Sequence, residues 1–267
     1  MKKKGVSIII STYNWPHALR LSLNSLLKQT VLPDEIIVAD DGSTDETKEV
    51  ILAFSKKTSI PVIHCWQEDK GFRLSLIRNK ALANCNFEYV IQIDGDIICH
   101  NQFIKDHLFY SEKGYFLCGR RCKLEIEDTT QSIESNKLIL TDRSLKKNKL
   151  HYKKRVPFMF TLLKNNLINP LIETGVQGCN MSFWLEDVIA INGYNNDFEG
   201  WGKEDDELVL RLNRYGLKRK TLKFGAIAYH LMHDARDNKN LNINEALLEK
   251  IEKTENIKTN KGIDNLN

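Results

Sequence analysis

Apolar runs and stretches of helical spacing alternate along the first half of the chain. Val6–Ile10 and Glu35–Asp40 are rich in β-branched residues, a composition typical of strands that are buried on both faces. Pro16 stands where a helix would begin, and leucines at helical spacing follow it. The predicted strands are Val6–Ile10, Glu35–Asp40, Pro61–Trp66 and Glu88–Asp94, and the predicted helices begin at Pro16, near Ser43 or Thr44, and at Leu74. This alternation predicts βαβ units, and therefore an α/β fold with a mostly parallel central sheet flanked by helices.

The pattern changes in the second half of the chain. Periodicity is weak from Cys122 to Leu171, and Arg143–Arg155 holds seven basic residues and no acidic one. Further predicted elements are an apolar segment at Val156–Leu163, a strand at Gly175–Trp184, a loop at Asp197–Gly202, a helix at Glu204–Tyr215, strands at Lys218–Lys223 and Gly225–His230, and a short helix near Asn244–Lys253. We therefore divide the chain into an α/β half (1–120), a basic insert (121–174), a second half (175–240) and a peripheral tail (241–267).

Composition excludes several classes of protein. The chain has 267 residues, 42% of them apolar and 28% charged, which excludes wholesale disorder and a coiled coil. The net charge of +4 is too small to indicate binding to nucleic acid, so no such partner is expected. The apolar run near the N-terminus is shorter than the roughly 7–15 residues of a signal peptide, and no stretch reaches the ~18 residues of a membrane span. The six cysteines form no CxxC pair, which favours reduced thiols and a soluble, cytoplasmic protein.

Two short motifs could bind a divalent metal ion. Asp94-Gly95-Asp96 follows a predicted buried strand, and two carboxylates around a small residue offer the oxygen ligands that Mn²⁺ or Mg²⁺ prefers. The alternative is a tight turn with solvated acids. His230 and His233 share a face on a helix or turn but point oppositely on a continuing strand, and a single histidine in an apolar strand is usually a core residue.

Four consecutive acidic residues, Glu204 to Glu207, open the strongest predicted helix. Acids in a first turn commonly cap backbone N–H groups, which is the structural alternative to a functional role. Four in a row exceed what capping requires, and Trp201 with its flanking glycines precedes them on a predicted loop. An exposed aromatic ring beside carboxylates suits a sugar, because the ring contacts C–H groups while the acids bind hydroxyls.

The absence of other motifs narrows the reaction class. The chain has no GxxxxGK[ST] loop, no strand-linked GxGxxG and no GxSxG, so a P-loop NTPase, a dinucleotide oxidoreductase and an α/β-hydrolase are unsupported. The predicted sheet is of the kind that binds nucleotides, and it has candidate metal ligands but no phosphate loop. This indicates a ligand whose diphosphate is neutralised by a metal ion. A nucleotide-sugar enzyme needs this combination.

Across residues 5 to about 120 the chain resembles the family 2 glycosyltransferases of the GT-A fold. The segments that carry this resemblance are VSIIISTYN, EIIVADDGSTDET, GFRLSLIRNKAL and YVIQIDGDI. The second half resembles the C-terminal motif of β-1,4-galactosyltransferases and bacterial chondroitin polymerase domains, through GCNMSFWLEDVIAINGYNNDFEGWGKEDDEL and HLMHDARD. The resemblance implies a GT-A fold in which residues 1–120 bind the nucleotide sugar and residues 175–240 bind the acceptor and carry out catalysis.

The resemblance also implies a donor site and a metal site. The residues implied in binding a UDP-sugar are Thr12, Tyr13, Asp40 or Asp41, Arg73 or Arg78, and Asp94; the two arginines are expected to contact the diphosphate or the base. Asp96 and His233 match the metal ligands, and Mn²⁺ or Mg²⁺ is the expected cofactor. His230 stands where vertebrate galactosyltransferases have methionine, so the resemblance leaves its role as a ligand open.

The acceptor side follows from the same resemblance. Trp201 and Gly202 match the loop that contacts the acceptor sugar, Asp205 matches the catalytic base, and Glu204 is expected to bind a hydroxyl of the acceptor or donor. The implied activity is a metal-dependent, inverting transfer of a hexose or N-acetylhexosamine (Gal, GalNAc, Glc or GlcNAc) from a UDP-sugar to a saccharide or lipid-linked saccharide, in surface polysaccharide or glycan biosynthesis. The alternatives are a nucleotidyltransferase acting on sugar phosphates and a non-catalytic sugar-binding protein of the same fold.

Two interpretations of the basic run Arg143–Arg155 remain open. With the apolar segment after it, the run could dock on an anionic membrane surface, which would place the protein peripherally on the inner face of the cell membrane. It could equally be a solvated loop that covers the acceptor cleft.

Overall fold

The structure, a computed structural model, describes residues 2–156, 176–233 and 239–266. In these ranges the strands are β1 (Lys3–Thr12), β2 (Glu35–Asp40), β3 (Val62–Trp66), β4 (Phe87–Asp94), β5 (Ile97–Cys99), β6 (Tyr115–Cys118), β7 (Arg121–Lys123), β8 (Asn180–Trp184), β9 (Lys218–Thr221) and β10 (Ala228–His230). The helices are α1 (Pro16–Leu26), α2 (Asp45–Ser55), α3 (Leu74–Asn84), α4 (Phe103–Tyr110), α5 (Ile126–Ser135), α6 (Asp142–Lys147), α7 (Leu150–Lys153), α8 (Leu185–Ala190), α9 (Glu204–Arg214) and α10 (Leu241–Glu252). The start of the strand predicted at Gly175 and all but the first residue of the apolar segment Val156–Leu163 lie outside the described residues.

The central sheet has seven strands in the order β3-β2-β1-β4-β8-β6-β9. β1 pairs in parallel with both β2 and β4, and β2 pairs in parallel with β3, whereas β8 runs antiparallel to β4 and β6. The predicted α/β fold with a mostly parallel sheet is therefore confirmed. In this register Ser11 lies beside Asp94, and Thr12 lies beside Asp40, so the polar ends of three strands meet at one edge.

Helices cover both faces of this sheet, which explains why its strands are apolar on successive positions. Ile8 and Ile10 of β1 pack in one core with α1 and α2, while Ile9 between them packs in a second core with α3 and α9. All three isoleucines are fully buried. A strand that is covered on both faces has no solvated side on which polar residues would alternate.

A second sheet of three short strands, in the order β5-β10-β7, was not predicted. β10 runs antiparallel to β5 and parallel to β7, and His230 at its end pairs with Ile97, the residue after Asp96. β10 lies within the strand predicted at Gly225–His230, whereas β5 and β7 were not predicted, because three residues are too few for alternation to distinguish a strand from a loop. The small sheet nevertheless brings the end of the second half of the chain to the Asp94–Asp96 turn.

The described part of the basic run forms α6, α7 and the residues after them. Arg155 makes a bidentate ion pair with the buried carboxylate of Asp106 in α4, through Nε to Oδ2 at 2.9 Å and Nη2 to Oδ1 at 2.6 Å. Asp106 also accepts a hydrogen bond from the backbone N–H of Ala226 at 3.0 Å. At least one charge of the run therefore stabilises the fold. No helix within 2–156, 176–233 or 239–266 is long and apolar enough to cross a membrane.

We expect Asp106→Ala to lower the free energy of unfolding by about 3 kcal/mol, because it leaves the Arg155 guanidinium without its bidentate carboxylate in a half-buried site. Urea denaturation of the wild type and the variant measures the change. The control is Glu127→Ala, which removes an exposed carboxylate 3.7 Å from Arg143 and should change stability by less than about 0.5 kcal/mol. Equal effects of the two substitutions would contradict a stabilising role for the Arg155–Asp106 pair.

Candidate active site

A cavity of about 370 Å³ opens at the edge where β1, β2 and β4 end. Its lining residues come from both halves of the described chain: Ser11, Thr12, Tyr13, Trp15, Asp41, Phe72, Leu74, Asp94, Gly95, Asp96 and His233. Ligands of parallel α/β sheets bind beyond the carboxyl ends of the strands, because the loops there diverge and leave a crevice. Six of the predicted site residues line this cavity: Thr12, Tyr13, Asp41, Asp94, Asp96 and His233.

Gly95 holds the Asp94–Asp96 turn tightly against β1. Its backbone N–H donates to the carbonyl oxygen of Ser11 at 2.7 Å. A Cβ atom at this position would lie 3.1 Å from both that oxygen and Thr12 Oγ1, closer than ordinary van der Waals contact. Because residue 95 is a glycine, the turn that carries Asp94 and Asp96 can lie in close contact with the end of β1.

Asp96, His230 and His233 form a cluster that could hold a metal ion. The Nε2 atoms of both histidines lie 3.4 Å from Asp96 Oδ2, and one ligand atom from each residue lies within 4.8 Å of the others. The chain leaves regular structure after His230, so the two imidazoles need not point in opposite directions. One carboxylate and two imidazoles fit a first-row divalent ion such as Mn²⁺, while Mg²⁺ prefers oxygen ligands. The donor set therefore fits the predicted cofactor and includes the histidine whose role was open.

The two adjacent aspartates at the end of β2 have different surroundings. Asp40 is fully buried and binds the backbone N–H of Ser43 at 2.8 Å and His64 Nε2 at 2.8 Å, so it supports the turn. Asp41 lines the cavity and accepts hydrogen bonds from Gln67 Nε2 at 2.5 Å and from the backbone N–H of Arg73 at 2.8 Å. Burial raises the pKa of Asp41 to about 6, against the opposing effect of these two hydrogen bonds. Of the pair, Asp41 is the one that a ligand in the cavity would contact.

Tyr13 lines the cavity, whereas Arg73 does not. Tyr13 is 48% exposed, and its hydroxyl donates to Asp69 at 2.9 Å, a hydrogen bond that raises the pKa of the phenol. Arg73 precedes α3, and its Nη2 donates to the carbonyl oxygen of Glu68 in the same loop. Arg73 therefore belongs to the loop between β3 and α3, outside the lining of the cavity.

Arg78 lies behind the cavity wall. Its side chain is 1% exposed, and its guanidinium bonds Ser11 Oγ at 3.2 Å, Asp94 Oδ1 at 3.1 Å and Asp205 Oδ1 at 2.9 Å. Ser11 and Asp94 line the cavity, whereas Arg78 does not. The structure thus joins two of the predicted acids, one from each half of the chain, through a third predicted residue.

Asp205 begins the first turn of α9 and accepts three hydrogen bonds. Besides Arg78, the donors are the backbone N–H of Gly178 at 2.8 Å and the Tyr194 hydroxyl at 3.4 Å. A Cβ on residue 178 would lie 2.3 Å from both carboxylate oxygens of Asp205, so only glycine permits this approach. The Tyr194 hydroxyl and the Gly178 carbonyl are both bonded to the buried side chain of Gln92.

Glu204 differs from its neighbour Asp205 in its contacts. Its Oε1 lies 3.7 Å from Arg78 Nη1, and its buried Oε2 has no hydrogen-bond partner among the described residues. Burial, followed by repulsion from Asp205, raises the pKa of Glu204, and Arg78 only partly offsets this. The raised pKa favours the neutral form of Glu204, in which the carboxyl group can donate a hydrogen bond.

Trp201 lies on the loop before α9 and is 39% exposed. The loop is held from the C-terminal side, where Asn244 of α10 donates to the carbonyl oxygens of Glu199 at 3.1 Å and Gly202 at 3.0 Å. Gly202 has φ +106°, a conformation that favours glycine. The tail thus packs against the predicted acceptor loop and positions its aromatic ring.

Several site residues were missed by the sequence analysis. Trp15 contacts His233 edge-on with ring centroids 5.7 Å apart, and Phe72 and Leu74 form the apolar part of the cavity wall. Gly178 and Tyr194 hold Asp205. Phe72, Gly178 and Tyr194 lie inside segments that carried the family resemblance, which was the available signal, but nothing in their spacing distinguished them from core residues.

Two known families match this chain, and together their matches extend over residues 7–234. Residues 7–181 match the family described as glycosyl transferase family 2, and residues 169–234 match the family described as the N-terminal domain of galactosyltransferase. Chondroitin synthase of Escherichia coli is 26% identical over 248 residues, which cover 88% of this chain and 36% of that protein. The chain thus spans about a third of the length of this relative.

Solved structures share the fold at low sequence identity. S. aureus TarS 1–349 in complex with UDP has a TM-score of 0.61 and 16% identity, covering 91% of this chain and 64% of that chain. The mannosyltransferase PcManGT from Pyrobaculum calidifontis, in complex with GDP-Man and Mn²⁺, has a TM-score of 0.60 and 16% identity, covering 94% and 66%. These likenesses confirm the GT-A fold.

Proposed function

The chain belongs to glycosyltransferase family 2, and on this premise we propose that it moves a hexose or N-acetylhexosamine from a UDP-sugar to a hydroxyl of a saccharide, with inversion at the anomeric carbon. One observation carries the proposal. The cavity at the ends of β1, β2 and β4 is lined in part by residues of the candidate metal cluster. Arg78 donates hydrogen bonds both to Asp94, which lines the cavity, and to Asp205. A nucleotide diphosphate and an attacking hydroxyl would need this arrangement.

UDP is the nucleotide that the comparisons favour. TarS has been solved with UDP and with UDP-GlcNAc, whereas PcManGT was solved with GDP-Man. Asp41, Thr12 and Tyr13 line the same cavity as Asp96 and His233, and we assign them to uracil and ribose. Asp94 would contact the ribose or the donor sugar.

Asp96, His230 and His233 would hold Mn²⁺. When bound there, the ion would supply positive charge to the diphosphate of the departing UDP. The contribution of this chain is to keep three ligand atoms close together before any ion binds, with Asp96 fixed by the Gly95 turn and His230 by its place in β10.

Asp205 is the proposed base. The acceptor hydroxyl attacks the anomeric carbon as the bond from that carbon to the UDP oxygen breaks, and the hydroxyl proton passes to Asp205. A single displacement of this kind converts an α-linked donor into a β-glycoside. Glu204, whose raised pKa favours its neutral form, would donate a hydrogen bond to a sugar oxygen through Oε2, the carboxyl oxygen that has no hydrogen-bond partner among the described residues. Trp201 would stack on the acceptor sugar.

UDP release from a panel of UDP-sugars tests the proposal. Purified protein is incubated with UDP-GlcNAc, UDP-GalNAc, UDP-Glc or UDP-Gal, with Mn²⁺ or Mg²⁺ and no acceptor, because slow donor hydrolysis needs only water. Metal-dependent release from one sugar would support the proposal and identify the donor. No release from any sugar, together with no UDP binding by calorimetry, would contradict it and favour a sugar-binding protein without catalysis.

Nucleoside binding should weaken in acid if Asp41 contacts uracil. An ionised carboxylate accepts a charge-assisted hydrogen bond from the uracil N–H, and protonation removes the charge and leaves a weaker acceptor. Because the pKa of Asp41 is about 6, the ionised fraction falls as the pH drops through that value, and we expect the Kd of uridine to rise about tenfold between pH 7 and pH 5.

Uridine rather than UDP is the ligand for this titration, because it has no phosphate group that titrates in the same range. Asp41→Asn is the matched control, and its uridine Kd should be independent of pH across this interval. A wild-type Kd that stays constant from pH 7 to pH 5 would show that Asp41 does not contact the uracil.

A further inference from the structure

Arg78 connects three elements of the fold through one buried guanidinium. From α3 it donates to Ser11 of β1, to Asp94 of β4 and to Asp205 of α9, at 3.2, 3.1 and 2.9 Å. Its guanidinium also lies over the Tyr194 ring, with the central carbon 5.2 Å from the ring centroid. Each nitrogen of the guanidinium is thus used within the protein.

These contacts leave Arg78 poorly placed to bind the donor diphosphate directly. The side chain is 1% exposed, and Ser11 and Asp94 stand between it and the cavity. An arginine that reached the diphosphate would have to give up its bonds to buried carboxylates, at a considerable cost in free energy.

We propose that Arg78 is a positioning residue that fixes the position of the base Asp205 relative to Asp94, which lines the proposed donor-binding cavity. The inference rests on the proposed function, and it changes the role that the sequence analysis gave to Arg78. One planar guanidinium bonds both carboxylates, so the base on the acceptor side cannot shift relative to the donor side without breaking a hydrogen bond. Displacing a reacting group by about 1 Å lowers a rate by about 10²-fold, which makes such a connection consequential.

Lysine cannot replace this function. An ammonium group keeps the positive charge, but it is a single nitrogen and lacks the planar guanidinium. It therefore cannot place three separate nitrogens against Ser11, Asp94 and Asp205. Arg78→Lys therefore removes the hydrogen-bond geometry of the guanidinium while it keeps the positive charge. Arg78→Met would leave buried carboxylates without a cation and endanger folding, so Arg78→Lys carries the test.

The chain offers a matched control in Arg211. This arginine of α9 is also 1% exposed, and it pairs with Glu207 and bonds the carbonyl oxygens of Ile191 and Gly193. It contacts no residue of the cavity or of the Asp205 cluster in the hydrogen bonds described. Arg211→Lys makes the same chemical change in an equally buried place that serves only the fold.

The experiment measures kcat for hydrolysis of the UDP-sugar that the wild type consumes, the Kd of UDP by calorimetry, and the melting temperature of each variant. We expect Arg78→Lys to lower kcat about 100-fold with the UDP Kd changed less than about threefold, and Arg211→Lys to keep kcat within about threefold. A melting curve that remains cooperative ensures that kcat reports on folded protein.

The outcomes separate this inference from the proposed function. Weakening of UDP binding by tenfold or more in Arg78→Lys would mean that Arg78 contacts the diphosphate, and an unchanged kcat would mean that it positions nothing; either overturns the inference alone. An equal loss of kcat in both lysine variants would show a general effect of disturbing buried arginines and would also overturn it. A wild type that consumes none of the four UDP-sugars overturns the proposed function and this inference together.

Discussion

Asp205→Asn lowers kcat for consumption of the UDP-sugar by about 10³-fold or more and changes the UDP Kd less than about threefold. An amide cannot take the proton of the attacking hydroxyl, and general base catalysis commonly contributes 10²–10⁴-fold. Asp205 does not line the nucleotide cavity, so the substitution should leave the binding of UDP intact. Steady-state kinetics with calorimetry of UDP binding measures the two quantities separately.

Asp206→Asn is the control for this prediction. It makes the same change one residue along α9, where the carboxylate pairs with Lys203 at 3.7 Å and accepts from the backbone of Val176 at 3.4 Å. We expect its kcat to stay within about threefold of the wild type. Retained activity in Asp205→Asn would transfer the role of base to another group, with Glu204 the first to examine.

Asp96→Asn abolishes the stimulation by Mn²⁺, weakening Mn²⁺ binding by about 100-fold or more and lowering kcat by about 10³-fold at a fixed ion concentration. The substitution removes the only carboxylate of the Asp96–His230–His233 cluster, and with it the negative charge that attracts a divalent ion. Calorimetric titration with Mn²⁺ reads out the affinity in the absence of substrate, so this result does not depend on turnover.

Asp206→Asn serves here as well and should bind Mn²⁺ like the wild type. His230→Ala addresses the ligand whose role the sequence left open, and a loss of affinity similar to that of His233→Ala would establish it as a ligand. Unchanged Mn²⁺ affinity in Asp96→Asn would place the metal elsewhere in the protein.

Local sequence patterns predicted the parallel half of the fold well. The bounds of β2 agree with the prediction at both ends, and those of β1, β3 and β4 differ by no more than three residues. β1, β2 and β4 are largely buried on both faces, and helices with clear start signals separate the four strands, so the pattern along this half of the chain is unambiguous. Of the small sheet, only β10 lies within a predicted strand, Gly225–His230. β5 and β7 were missed, because they are three residues long and are stabilised by neighbours distant in sequence.

The residue types of the candidate site were visible in the sequence, since carboxylates and histidines at strand ends carry a chemical meaning of their own. Their division of roles was not visible, because it depends on which atoms meet across the fold. Asp40 and Asp41 are adjacent and identical, yet only Asp41 lines the cavity. His230 and His233 have the same spacing whether or not they converge, and the course of the chain after β10 brings both to Asp96. Arg78 precedes Asp205 by 127 positions, and only the packing of α3 against β1, β4 and α9 makes them partners.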